Sequence, residues 1–205
     1  IPSFRIANET IEKDIALMQK YDVEVKCGAP APSVEELKKL GYTHILFAVG
    51  AWKPGKLDIA GDVAGAIQWM KGVKAGNIAV GGNVVVVGGG NTAMDAARLA
   101  KRSGAKNVTL VYRRTKKYMP ADEHELALAL QDGVAFAELA APVAQADGVL
   151  KCEQMKLGEA DASGRRSPVG TGEFFTVPCD LVISAVGEQV DDALLSANGI
   201  ELDKK

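Results

Sequence analysis

Residues 83–115 read NVVVVGGGNTAMDAARLAKRSGAKNVTLVYRRT. The run Val84–Val87 is apolar and β-branched throughout, the pattern of an interior parallel strand buried on both faces. NTAMDAARLAKRSG then predicts a helix ending at Gly104, and VTLVY predicts the next strand. Between strand and helix, Gly88, Gly90 and Ala93 fit G-x-G-x-x-A in the context that gives the pattern meaning. The first glycine permits a tight turn, the second lets a pyrophosphate approach the backbone, and the small third residue lets helix and strand pack closely. The turn residues Gly88, Gly89 and Gly90, with Asn91 and Thr92 opening the helix, are the candidate phosphate cradle. Free amides at Gly90, Asn91 and Thr92 would face the phosphates, aided by the helix dipole. The competing reading is a structural turn in an α/β domain that binds nothing. VGTGEFF, near residue 170, also contains G-x-G but has no helix after it.

Working outward, PADEHELALALQDG predicts a helix with a proline in its first turn and Gly133 at its end, and VAFAEL a third strand. The result is β-α-β-α-β, the mononucleotide-binding half of a doubly wound fold. GVLKCEQMKLGEA, the turn-rich DASGRRSPVGTG and EFFTVPC read as a hairpin or small antiparallel meander, after which DLVISAVG restores an apolar strand. On the N-terminal side, ETIEKDIALMQKY is helical and VEVKC a short strand. APSVEELKKLGY is a small helix capped by Ser33 and ended at Gly41, THILFAVG is a buried strand, and DVAGAIQWMKGVKAG is a helix.

The second strand ends VYRRT, with Arg113 and Arg114 where a unit reading ribose hydroxyls would carry an acid. Guanidinium groups bind a 2′-phosphate through paired, charge-assisted hydrogen bonds, so the position favours NADP(H) over NAD(H) and over S-adenosylmethionine. Lys116 and Lys117 add positive potential; a solvated basic loop is the alternative.

The chain of 205 residues is 47% hydrophobic with a formal net charge of −2, which favours neither nucleic acid nor an anionic membrane surface as partner. Cys27, Cys152 and Cys179 form no C-x-x-C for a cluster, zinc or redox dithiol, so they read as free thiols of a cytoplasmic protein. No apolar run is long enough to cross a bilayer and no signal peptide is visible. Asp95 and Arg98 are expected to pair with each other or a neighbouring element, and Glu125 to sit solvated in a first helical turn or to shape the cleft. His44 and His124 lack a partner for catalysis. Trp52 and Trp69 read as packing residues, and no catalytic side chain or metal set is expected.

GGGNTAMDAAR, VYRRTKKYMPA and DLVISAVGEQVD together resemble the NADPH domain of the glutamate synthase small-subunit (beta chain) family of FAD and iron–sulfur oxidoreductases. IPSFRIANETIEKDI, THILFAVGAWKP and LGEADASGRRSPV extend the likeness in the same order, closest to the selenate-reductase-like branch. The resemblance implies a Rossmann-like α/β domain with a parallel sheet and a small antiparallel meander, flanked by segments of a second, FAD-binding domain. Residues 1–60 would be a flanking strip of that domain, 61–187 the NADPH domain, and 188–205 the return segment. It implies hydride delivery from NADPH to FAD, with electrons leaving through iron–sulfur clusters held elsewhere in a longer protein. An NADP(H)-binding or sensing module without turnover is the alternative. Carried over, Gly88, Gly90, Asn91 and Thr92 would hold the pyrophosphate, with Gly89 and Ala93 completing the cofactor-binding turn. Arg113 and Arg114 would hold the 2′-phosphate, and Ala185, Val186 and Gly187 would line the nicotinamide side. The start IPSFRI and the end DKK suggest an excised piece, inactive alone, whose exposed flanks would drive self-association or fold back onto the core.

Overall fold

The computed structural model describes residues 1–162, 164 and 166–201, so Ser163 and Arg165 of the expected turn and residues 202–205 lie outside the description. The chain divides into two compact units, one of Ile1–Trp52 with the segment from Val190 onward, the other of Lys53–Gln189.

In the first unit, α1 (Asn8–Gln19) and α2 (Val34–Lys39) form where expected. Ser33 caps α2 through a reciprocal box: its hydroxyl accepts from the Glu36 amide at 3.2 Å, and the Glu36 carboxylate accepts from the Ser33 amide at 2.8 Å. Hydrogen bonds from the Ser33 amide, and with it the Ser33 hydroxyl at 2.9 Å, hold the Glu36 carboxyl below its ordinary value. The predicted strands VEVKC and THILFAVG are not strands here, and Leu46 is 90% exposed. Their alternation suits a sheet, but a strand is stable only against a neighbour that takes its ladder hydrogen bonds. This unit supplies none among the described residues.

The second unit carries the expected core. In chain order its elements are β1 (Lys53–Pro54), β2 (Val63–Gly65), α3 (Ala66–Lys74), β3 (Asn83–Val87), α4 (Asn91–Arg102), β4 (Asn107–Tyr112), α5 (Glu123–Gln131) and β5 (Ala135–Glu138). There follow β6 (Ala140–Ala146), β7 (Val149–Ala160), β8 (Arg166–Pro178), β9 (Leu181–Ser184) and β10 (Glu188–Gln189). The last helix, α6 (Asp192–Ala197), returns to the first unit, where the Asn198 side-chain oxygen accepts from the Val34 amide at 3.1 Å.

β3, α4, β4, α5 and β5 are the β-α-β-α-β run read from the sequence. β2, β9, β3, β4 and β5 lie side by side in that order, every pair parallel. Side chains alternate between the two faces, as the two-residue period of a strand requires. Val84, Val86, Val108, Leu110 and Ile183 meet the helices, where α4 presents Ala93, Ala96, Ala97 and Ala100. These small side chains let the helix lie close to the sheet. Val85, Val87, Val111 and Val182 face the other way, onto Ala140, Leu150 and Cys152 of the antiparallel meander β6-β7-β8 and onto Cys179 just after it. Each buried valine contributes roughly 1.5–3 kcal/mol, so both layers belong to the core. Asp147 and Gly148, both at positive φ, make the two-residue turn between β6 and β7.

Three local expectations need correction. Asp62–Gly65 opens with strand β2 rather than with the helix, because β9 lies beside it and offers parallel ladder partners. Pro120 precedes α5 instead of occupying its first turn; the Asp122 side chain caps the helix, accepting from the His124 amide at 2.8 Å. Part of the supposed turn, Arg166–Gly172, belongs to β8, because pairing with β7 outweighs the low strand preference of its glycines.

Candidate functional site

From β3, strands β4 and β5 extend the sheet on one side, and β9 returns on the other, between β3 and β2. The carboxyl ends of β3 and β9 therefore flank a topological switch point, where open α/β sheets bind ligands. A cleft of about 910 Å³ opens there. Of the predicted site residues it is lined by Gly88, Gly89, Gly90, Thr92, Arg113, Arg114, Ala185, Val186 and Gly187. Asn91 and Ala93 are not among the lining residues: the Asn91 side-chain oxygen accepts from the Asp122 amide at 3.3 Å, and Ala93 is fully buried under the turn.

The three glycines do different things. Gly88 sits at φ +154°, and a Cβ there would collide with the Ala185 carbonyl oxygen and lie 3.1 Å from the Ala93 Cβ. Its amide donates to the Val111 carbonyl at 3.1 Å, so it closes the turn and faces no ligand. A Cβ on Gly89 would strike the Tyr112 ring, which is buried with its hydroxyl donating to the Tyr118 carbonyl at 2.7 Å. Gly90 differs: a Cβ there would meet nothing within 4 Å. It is the N-cap of α4, with no side-chain cap. The amides of Gly90, Asn91 and Thr92 thus begin the helix without an intrahelical acceptor, at its positive end. Open space stands in front of aligned donors, the arrangement an anion needs.

The arginine pair divides as well. Arg113 is exposed at the rim, whereas Arg114 is 9% exposed in the wall. Arg114 Nε donates to the Arg166 carbonyl at 3.3 Å, and its own carbonyl accepts from the Leu139 amide at 3.1 Å. No carboxylate among the described residues lies within 4.0 Å of the Arg114 guanidinium. Glu138, which follows Ala137 on the adjacent strand, spends its carboxylate on the Lys116 amide at 3.0 Å. A buried guanidinium without a counter-charge is costly unless an anion completes it.

Behind the turn, Arg98 and Arg102 of α4 bind Asp132 at the end of α5, at 2.8 Å and 2.7 Å respectively. The Arg102 hydrogen bond first, and that of Arg98 with it, hold the Asp132 carboxyl down to about 2. Arg98 therefore pairs with a neighbouring element, as expected. Glu125, expected either in solvent or at the cleft, is instead 16% exposed and 3.7 Å from Arg98. Trp69 packs in the core at 4% exposure, whereas Trp52 is 53% exposed, its indole N–H donating to the Val49 carbonyl. Among the described residues no His, Cys, Asp or Glu cluster converges as a metal site. Sequence reasoning did not assign the cleft's other lining residues, among them 56–59, Tyr118, Pro120, 140–142 and Glu188. Tyr118, Pro120 and Glu188 fall within the motifs VYRRTKKYMPA and DLVISAVGEQVD, where a sequence signal could have pointed to them.

A profile of the pyridine nucleotide-disulphide oxidoreductase family matches residues 6–205. Among curated relatives, YgfK of Escherichia coli (strain K12) is 42% identical over 211 residues, covering all of this chain and 20% of that protein. The NADPH-Fe(3+) oxidoreductase subunit beta of Geobacter sulfurreducens is 36% identical, covering all of this chain and 33% of that protein. The glutamate synthase [NADPH] small chain of Azospirillum brasilense is 34% identical, covering 94% of this chain and 45% of that protein. The chain thus spans between a fifth and just under half the length of these relatives. Of solved structures, a 2-naphthoyl-CoA reductase superposes with TM-score 0.71 over 97% of this chain and 28% of its own, at 20% identity. FprA of Mycobacterium tuberculosis in complex with NADPH gives 0.59 over 76% of this chain and 52% of its own, at 19% identity. Both share the fold. With a match over nearly its whole length, the chain belongs to the pyridine nucleotide-disulphide oxidoreductase family.

Proposed function

We propose that the cleft binds NADPH, with the pyrophosphate on the turn Gly88–Ala93, the 2′-phosphate on Arg113 and Arg114, and the nicotinamide end along Ala185, Val186 and Gly187. The observation that supports this reading is the buried Arg114, without a counter-charge among the described residues, lining the same cleft as the open, donor-rich Gly90. When bound, the nicotinamide supplies the hydride chemistry; the chain's residues bind and orient it. Gly90, Asn91 and Thr92 would donate to phosphate oxygens. Gly88 and Ala93 hold the helix start against β3, and Arg114 fixes the far end.

On this reading residues 61–187 form the NADPH domain, and 1–60 with 188–205 are strips of an FAD domain whose remainder lies outside these residues. The protein would pass hydride from NADPH to FAD and electrons onward through iron–sulfur clusters elsewhere in the parent. The short span of the curated relatives that the chain covers supports this. So do the exposed apolar residues of the first unit, among them Leu17, Met18, Leu46 and Trp52, which suit a packing partner. The 205-residue chain alone would lack turnover, and its exposed flanks would promote self-association.

The test is calorimetric titration of the chain with NADPH and NADH, repeated with Arg113→Ala and Arg114→Ala. NADPH is expected to bind roughly ten- to a hundredfold more tightly than NADH, the worth of one charge-assisted contact, with the difference lost in Arg114→Ala. Equal affinity for the two nucleotides in the unaltered chain would defeat the assignment of the arginine pair.

A further inference from the structure

The cleft carries opposite charges at its two ends, and Glu188 is the acidic one. It lines the cleft half-buried on β10. No lysine or arginine among the described residues lies within 4.0 Å of its carboxylate. Lys56, which shares that wall, is engaged with Asp58 at 3.2 Å.

The position is fixed by the ribbon on which Glu188 stands. Glu188 pairs with Pro54 and Gln189 with Lys53, and the Gly55 amide donates to the Gly187 carbonyl at 2.7 Å. A Cβ on Gly55 would meet that same carbonyl, so the two chain segments are in close contact. β9, which leads to Glu188, and β4, which leads to Arg113, lie on either side of β3. At about 4.8 Å per strand their carboxyl ends are roughly 10 Å apart, with the glycine turn between them. A ligand whose phosphates rest on that turn extends one way to guanidinium groups and the other way to a carboxylate.

We propose that Glu188 is a specificity-determining residue that recognises the oxidised, positively charged nicotinamide ring and so favours NADP⁺ over NADPH. The inference rests on reading the cleft as an NADP(H) site. A cationic ring beside an unpaired carboxylate gains a Coulomb attraction that the neutral reduced ring does not. The phosphates and the adenosine half are the same in both forms, and the other lining carboxylate, Asp58, is engaged with Lys56, so the difference between the two forms falls to Glu188.

The experiment measures Kd for NADP⁺, NADPH and 2′,5′-ADP on the 205-residue chain and on Glu188→Gln, with melting curves for both proteins. Glutamine keeps the shape and removes the charge. NADP⁺ is expected to weaken roughly fivefold and NADPH by less than about twofold. 2′,5′-ADP, which lacks the nicotinamide, is expected to be unchanged. Glu188→Ala should repeat the pattern, which guards against a folding effect of one substitution. If NADP⁺ and NADPH weaken equally, or neither weakens, while 2′,5′-ADP still binds, the role of Glu188 is overturned and the cleft assignment stands. If the unaltered chain binds none of the three, both readings fail.

Discussion

Replacing Gly90 by alanine separates the two functions of the glycine turn. At Gly90 φ is −97°, which any residue adopts, and the added Cβ has nothing within 4 Å. The fold should therefore lose only about 0.5–1 kcal/mol, the cost of alanine at an N-cap. The methyl group nevertheless stands in the space facing the amides of Gly90, Asn91 and Thr92. Holding a phosphate off by that thickness forfeits a charge-assisted hydrogen bond of about 1.5–3 kcal/mol, or roughly ten- to a hundredfold in Kd. Gly88→Ala is the contrast. There φ is +154°, and the new Cβ would collide with the Ala185 carbonyl oxygen and lie 3.0 Å from its carbon. Strain and overpacking together cost about 3 kcal/mol, a fall in Tm of roughly 6–12 °C. Thermal melts paired with calorimetric NADPH titrations read both quantities. Gly90→Ala should keep its Tm within about 4 °C while losing affinity, and Gly88→Ala should lose Tm. A Gly90→Ala protein that binds NADPH like the unaltered chain, or melts as early as Gly88→Ala, would refute the reasoning.

Two further outcomes follow from charge and burial. The Asp132 carboxyl sits at about 2 in the fold against an ordinary 3.8, lowered first by its bond to Arg102 and then by Arg98. Because the folded value lies below the unfolded one, the stabilisation is complete above 3.8 and is lost as pH falls toward 2. Asp132→Asn should cost about 1–2 kcal/mol at pH 7, allowing for the solvent around Arg102, and should flatten the acid limb of stability measured by urea unfolding. An unchanged acid limb would mean that the pair contributes nothing. Burial raises the Cys152 and Cys179 thiols to about 11, whereas Cys27 is exposed. A thiol reagent at pH 8 should label Cys27 alone in the folded protein and all three cysteines once it is unfolded; rapid native labelling of either buried thiol would contradict the packing of the meander on the sheet.

The sequence made the centre of the fold legible because local signals and tertiary packing agree there. Val84–Val87, the turn at Gly88 and the alanines of α4 each favour the state they adopt, and burial on both faces of β3 reinforces them. Agreement failed where the deciding interaction is distant in sequence. Residues 23–27 and 43–50 have strand composition but no ladder partner among the described residues of their unit. Val63–Gly65 has the reverse problem, since its ladder partners on β9 lie 119 residues later, from Val182 opposite Val63 to Ser184 opposite Gly65, and make it a strand. The same limit applied at the cleft. The glycine turn and the arginine pair are contiguous motifs and could be read directly. That Arg114 is buried against β8 while Arg113 stays exposed depends on the meander, which no local pattern places over the sheet. Lys56–Ile59 and Ala140–Pro142 entered the site by the same long-range packing.

The central claim, that aligned amides at the start of α4 and the buried Arg114 hold the phosphates of NADPH, can be tested most directly by amide chemical-shift mapping. With ¹⁵N-labelled chain titrated with NADPH, the account predicts the largest shifts at Gly90, Asn91 and Thr92, together with the Arg114 side-chain Nε–H. NADH should reproduce the turn shifts and leave Arg114 nearly unmoved. Saturable NADPH shifts confined to other residues, with the turn and Arg114 silent, would contradict it.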